Sequence, residues 1–156
     1  MRRSSWLLVA GFVVTLVVYA AMSRVWLDTS SEWYRDLDKP WFQPPDVVFG
    51  IIWPLNYLAL LVVGVLVSLR EPARAARTML AVLAVSVVLA LGWSYLFSEA
   101  REPGASAVAL VGAAALTWVL VGLAARARWW YGALLVVYAG WMSLAAALSI
   151  GIAVLN

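Results

Sequence analysis

Residues Trp33–Trp53 read WYRDLDKPWFQPPDVVFGIIW. A charged, proline-punctuated, aromatic segment here runs straight into an apolar one. Pro40, Pro44 and Pro45 force extended backbone on the residues before them and lower the entropy lost when the segment orders. Residues 39–45 are therefore loop. From Val47 no charge intervenes until Arg70, and a run of that length exceeds the about 20 apolar residues needed to cross a hydrocarbon core. The stretch is a junction between an outer loop and a membrane helix. Trp33, Tyr34, Trp41 and Phe42 give the loop apolar area with which to dock on the mouth of a bundle, so an ordered lid is expected over residues 27–46.

Working outward, comparable apolar runs occupy residues 6–26, 78–98, 104–125 and 130–155, which with 47–69 make five spans. The composition agrees: 65% of the 156 residues are hydrophobic and 12% charged, far from the roughly 45–50% apolar usage of soluble domains. The expected fold is all-α, a single integral membrane bundle of five transmembrane helices over residues 1–156. Arg2 and Arg3 before an apolar run suggest a signal peptide, but no Ala-x-Ala site with a polar sequel follows. A retained first helix is expected.

The basic residues set the orientation, because short cytoplasmic loops retain Lys and Arg. Arg2, Arg3, Arg70, Arg74, Arg77, Arg126 and Arg128 fall at one end of the spans, and Arg24, Arg35, Lys39 and Arg101 at the other. The N-terminus is thus expected in the cytoplasm and the lid outside. The net charge of +3 is accounted for by topology, and no nucleic-acid partner is expected. Arg24, near the end of its span, reads as a side chain that reaches to the headgroups.

Chemistry is restricted by what is missing. The chain has no Cys and no His, which removes disulfides, thiolate catalysis, the commonest metal ligand and the usual general base. No catalytic residues, metal or required cofactor are expected. The spans are also nearly free of ionisable groups, which disfavours a proton-coupled carrier. Aromatic surface is abundant instead, with 10 Trp. Trp6, Trp26, Trp129 and Trp130 stand at span ends, as interfacial aromatics do, whereas Trp53 and Trp141 lie inside spans. Those two, with Tyr57 and the loop aromatics, suit a pocket for a large flat apolar ligand. Pro54 takes the donor from the Gly50 carbonyl and is expected to kink its helix beside Trp53 and Tyr57. Asn56 reads as an interhelical hydrogen-bonding group. Ser86, Ala90 and Ser94, at spacing four, form a small-residue face that suits close helix approach within the subunit or across a homodimer.

The spacing Trp33-Tyr34, Leu37, Lys39-Pro40, Pro44-Pro45, Phe49, Trp53 resembles the first loop and second helix of the TspO/MBR family, the tryptophan-rich sensory proteins related to the mitochondrial translocator protein. Trp53-x-x-x-Tyr57, Trp93-Ser94, Tyr138-x-x-Trp141 and the terminal Asn156 extend the likeness over most of the chain. The resemblance implies a five-helix membrane protein, often a homodimer, with a pocket beneath the first loop for porphyrins, sterols and benzodiazepine-type ligands. It implies ligand contacts at Trp53, Trp141, Tyr57, Tyr34, Trp33, Pro44, Pro45, Phe49, Trp93, Tyr138 and Ala145, with Arg35 or Lys39 available to propionates.

The chain departs from the family pattern at Ala90, where Asn is usual, at Val137, where Pro is common, and at Ser149, where Asn is usual. Sensing, transport or regulation through a bound tetrapyrrole is the expected role, in a membrane that is bacterial by expectation. Porphyrin degradation in light and an accessory place in a larger membrane complex are the alternatives.

Overall fold

The computed structural model describes residues 3–26 and 30–156; Arg2 and the lid residues Leu27, Asp28 and Thr29 lie outside them. Six helices follow in order: α1 (Arg3–Trp26), α2 (Glu32–Asp36), α3 (Asp46–Arg70), α4 (Ala73–Ser98), α5 (Pro103–Ala127) and α6 (Trp129–Leu155). All but α2 are long and apolar enough to cross a membrane, and the described residues contain no strand. The all-α, five-span bundle is what the hydropathy pattern dictates.

Two details differ from the sequence reading. The first is α2, a single turn and a half inside the lid. Ser31 caps it by accepting from the Tyr34 N–H at 3.3 Å, and Glu32 and Arg35 sit at the ends where the helix dipole favours them. The second is the start of α4 at Ala73 rather than near residue 78. Hydropathy drops Arg74 and Arg77, but Pro72 at the N-cap decides where the helix begins. A basic turn therefore projects beyond the apolar part of α4.

The five long helices pack as a closed ring in the order α1, α3, α6, α5, α4 and back to α1. The ring order departs from the chain order at one connection: residues 71–72 join α3 to α4, which have α1 between them, whereas the other connections link ring neighbours. Phe12, Leu16, Val63, Leu83, Leu110 and Leu135 fill the shared centre. Val14, Val17, Ile51, Leu55, Val88 and Val137 stay exposed on the outside, as a lipid-facing wall requires.

Small residues govern the closest approaches. Ser86, Ala90 and Ser94 are all buried within the subunit, and Ser86 Oγ donates to the Ala113 carbonyl of α5 at 3.2 Å. That face is buried inside the bundle, against α5 at Ser86. The tightest hairpin joins α5 to α6 through Arg128 alone. Gly132 permits it, because a Cβ there would stand 2.6 Å from Ala125 Cβ and 3.0 Å from the Val121 carbonyl oxygen. On the same end of the bundle, Arg128 Nε meets Glu71 Oε1 at 2.9 Å, linking the two short connections. Asn56 departs from expectation: it is buried, yet its amide NH2 finds no acceptor among the described residues.

Gly132→Leu is expected to lower bundle stability by about 1–3 kcal/mol through overpacking. Gly140→Ala, where a Cβ meets nothing within 4 Å, is expected to change it by less than about 0.5 kcal/mol. Thermal unfolding of both variants in one detergent, followed by circular dichroism, checks the contrast.

Candidate ligand site beneath the lid

The repeat Phe49, Trp53, Tyr57 places three aromatic rings on one face of α3. Trp53 stacks on Tyr57 with centroids 5.7 Å apart and planes at 29°. Tyr19 of α1 meets both edge-on, at 5.8 Å and 5.5 Å. Phe49 meets Trp141 of α6 edge-on at 5.0 Å. Such edge-to-face and offset pairs contribute about 0.5–1.5 kcal/mol each beyond area burial, so they fix the ring positions while leaving faces free. Those rings line a cavity of about 510 Å³, completed by Ser23 and Arg24 of α1, Ala90, Trp93 and Ser94 of α4, Leu110 of α5, and Met142 and Ala145 of α6. Its size falls in the range of small-molecule sites. Gly50 and Pro54 also line it; α3 runs on through Pro54, and the Gly50 carbonyl, deprived of its usual donor, belongs to the same wall.

A second cavity of about 360 Å³ lies directly under the lid, walled by Tyr34, Gln43, Asp46, Phe97, Leu148, Ser149 and Ile152. Phe49, Trp53, Trp93 and Ala145 line both cavities, so the two adjoin across a common aromatic partition. The upper one carries the more varied polar groups. Gln43 Nε2 approaches Tyr34 Oη at 3.5 Å. Burial pushes the Tyr34 hydroxyl pKa above its ordinary value of 10, and the Asp46 carboxylate adds to this while the Gln43 contact opposes it. Tyr34 is thus neutral throughout the physiological range.

The lid is held at two places. Over α6, the Asn156 side chain accepts from the Asp38 N–H and donates to the Asp38 carbonyl, both at 3.0 Å. Beside this pair, buried Pro40 rests on Gly151, where a Cβ would come within 2.4 Å of the proline ring. Over α4, Trp33 and Tyr34 meet Phe97 edge-on at 5.2 Å and 6.2 Å, and Phe97 stacks on Trp93 at 5.7 Å. Arg101 covers the outer face of Trp33, with its guanidinium 5.8 Å from the ring centroid. Arg101 is the one non-glycine residue among those described with positive φ, 54°. It closes α4 through a Glu102 N–H bond to the Leu96 carbonyl at 2.9 Å, the helix-ending geometry that ordinarily takes Gly. Trp41 does not dock: it is 94% exposed and touches Phe42 edge-on at 5.7 Å.

The structure brings Trp53, Trp141, Tyr57, Phe49, Trp93 and Ala145 onto the wall of the larger cavity and Tyr34 onto that of the upper one. Six other sequence candidates stand elsewhere. Trp33 holds the lid to Phe97. Pro44 and Pro45 shape the entry to α3, with Pro45 at its N-cap. Tyr138 is buried in the core, its hydroxyl beside those of Tyr19 and Ser86 without a well-formed hydrogen bond to either. Lys39 turns back on the lid, donating to the Arg35 and Leu37 carbonyls at 3.3 Å and 3.1 Å with its ammonium over the Tyr34 ring. Arg35, also a candidate, is exposed on α2 and absent from both walls. Tyr19, Arg24, Asp46 and Ser149 were missed. Ser149 replaces the expected amide with a hydroxyl that accepts from Trp93 Nε1 at 3.0 Å.

Five apolar spans in a ring, a lid clamped over one end and an aromatic double cavity beneath it define a polytopic membrane protein with a lidded cavity. The sequence pattern of the TspO/MBR family matches residues 6–155, and the chain belongs to that family. A relative, the tryptophan-rich protein TspO of Archaeoglobus fulgidus, is 29% identical over 158 aligned residues, covering 96% of each chain.

Asn156→Ala is expected to cost the closed lid about 1–3 kcal/mol, since two bonds are lost and the Asp38 backbone is left unpaired. Arg101→Gly is expected to relieve about 1–2 kcal/mol of backbone strain while uncovering Trp33. Amide exchange of residues 30–45 separates the two effects: both variants exchange faster there, but only Arg101→Gly keeps or raises the thermal midpoint of the bundle.

Proposed function

We propose that the chain binds a planar hydrophobic ligand, with a porphyrin or other tetrapyrrole the best-fitting class, between the lid and α3, α4 and α6, and that this binding serves sensing, transport or regulation of tetrapyrrole metabolism. The observation that carries the reading is the larger cavity itself, about 510 Å³ walled by Tyr19, Trp53, Tyr57, Trp93 and Trp141. Aromatic faces offer area and stacking geometry to a flat ring system. One polar feature adds direction. Trp141 is 8% exposed, and its indole N–H has no acceptor among the described residues, a deficit of about 1–3 kcal/mol that a ligand acceptor would remove.

The basic residues at the ends of α3, α4 and α5 support an orientation with those ends in the cytoplasm and the lid outside. The ligand site then faces the outer half of the bilayer. With neither His nor Cys in the chain, the walls supply stacking and hydrogen bonding rather than a general base, so binding rather than catalysis is the activity that the site favours.

Titration of protoporphyrin into the purified protein, followed by tryptophan fluorescence, tests the reading. Saturable quenching is expected, weakened about tenfold or more by Trp53→Phe with Trp141→Phe, equivalent to about 1.4 kcal/mol. Quenching that persists unchanged in the double variant would sink the site assignment.

A further inference from the structure

Four basic side chains belong to the lid end of the molecule, and the structure accounts for three. Lys39 is bound to the lid's own carbonyls. Arg101 lies on Trp33. Arg35 is exposed on α2 and lines neither cavity. Arg24 remains. It stands on the wall of the larger cavity beside Ser23 and Tyr57, and it makes no ion pair or hydrogen bond among the described residues.

A guanidinium is charged at any working pH and presents a planar fork of donors that fits a carboxylate. Arg24 is exposed, as Arg35 is, but it alone of the two lines a cavity, where apolar walls on one side screen an anion less than bulk water does. The site is also electrically asymmetric. Arg24 lines the larger cavity and Asp46 the upper one, with the partition of Phe49, Trp53, Trp93 and Ala145 between them. An anionic substituent is attracted at one end and repelled at the other, so charge fixes which way a flat ligand lies.

We propose, resting on the reading of the cavity as the site of a planar hydrophobe, that Arg24 is its specificity-determining residue. It selects a ligand that bears a carboxylate, seated with the acid group at Arg24 and away from Asp46. Sequence reading took Arg24 for a side chain that only reaches the headgroups; its place on the cavity wall assigns it the anion contact that Arg35 and Lys39 cannot make. A lipid phosphate would satisfy the same guanidinium, but the carboxylate of the ligand is the occupant favoured here, because Arg24 shares its cavity with the ring-stacking residues.

The test uses the full chain in nanodiscs of zwitterionic lipid, with protoporphyrin IX and its uncharged dimethyl ester as probes and tryptophan quenching as the readout. The wild type is expected to prefer the free acid roughly tenfold or more, the gain typical of a charge-assisted bond. Arg24→Gln should abolish the preference by weakening the free acid far more than the ester, Arg24→Lys should keep part of it, and Lys39→Gln should keep all of it. Equal binding of acid and ester by the wild type overturns the proposal, as does an equal loss of both probes in Arg24→Gln, which marks a structural role. A preference that disappears when phosphatidylglycerol is added to the nanodiscs overturns it in favour of the lipid phosphate. If neither probe quenches, the cavity reading itself has failed and the proposal falls with it; the ester reports the cavity without the carboxylate, so the two failures are distinguishable.

Discussion

The seating of the lid on the end of α6 is the contact on which the site depends. Pro40 fits against Gly151 because no Cβ is there, and the Asn156 amide clasps the backbone of Asp38 with two hydrogen bonds. Both contacts join chain segments more than a hundred residues apart, so they close the ring of helices across its outer end and give the upper cavity its roof. They also set the height of α2, and hence where Trp33 and Tyr34 land on Phe97. The same docking leaves Trp41 and Phe42 outward, where an aromatic pair at the edge of a membrane bundle suits the headgroup region.

The bilayer explains why the irregular part of the chain is gathered there. Backbone that is not helical leaves polar groups unpaired, and hydrocarbon offers them nothing. The connections between α3 and α4, α4 and α5, and α5 and α6 are therefore held to two, four and one residues. The exception, the lid, supplies its own capping through Ser31 and borrows the rest from Asn156. Within the spans, several serine and threonine hydroxyls are satisfied by nearby carbonyls: Ser68 donates to Gly64 at 2.7 Å and Thr117 to Ala114 at 2.7 Å. Polar side chains can then be buried without an interhelical partner.

The five spans were legible because each is a long uncharged run, and the lid because its prolines and charges interrupt that pattern. Trp53 and Trp141 were legible as aromatics placed away from span ends. Tyr19 was not, since apolar residues cover every side of a lipid-embedded helix and periodicity no longer says which side faces inward. Only the ring order, with α1 between α3 and α4, turns Tyr19 toward Trp53. Arg35 and Lys39 misled for a different reason. A cation in a loop reads as available, but a short helix carries Arg35 away from the walls, and local carbonyls capture Lys39. Ser86, Ala90 and Ser94 announced a close helix contact, and sequence alone left open whether it lay inside the subunit or outside.

Three indole N–H groups inside the spans differ in what they meet. Trp93 donates to Ser149 and Trp118 to Ser143, each at 3.0 Å. Even Trp118, which is half exposed on the membrane face of α5, is provided with an acceptor from α6. Trp141 belongs to the same helix as both of those serines and is more buried than Trp118, yet it has none among the described residues. A chain that satisfies an indole facing lipid has the means to satisfy one facing a cavity, because a single serine one turn away would suffice. Instead the neighbouring walls are Ala90 and Ala145, methyl groups that leave room and offer no acceptor. Stability alone favours filling that room or pairing that donor. The cavity keeps both the volume and the unpaired N–H, and these are the two features on which the proposed binding of a ligand with its own acceptor rests.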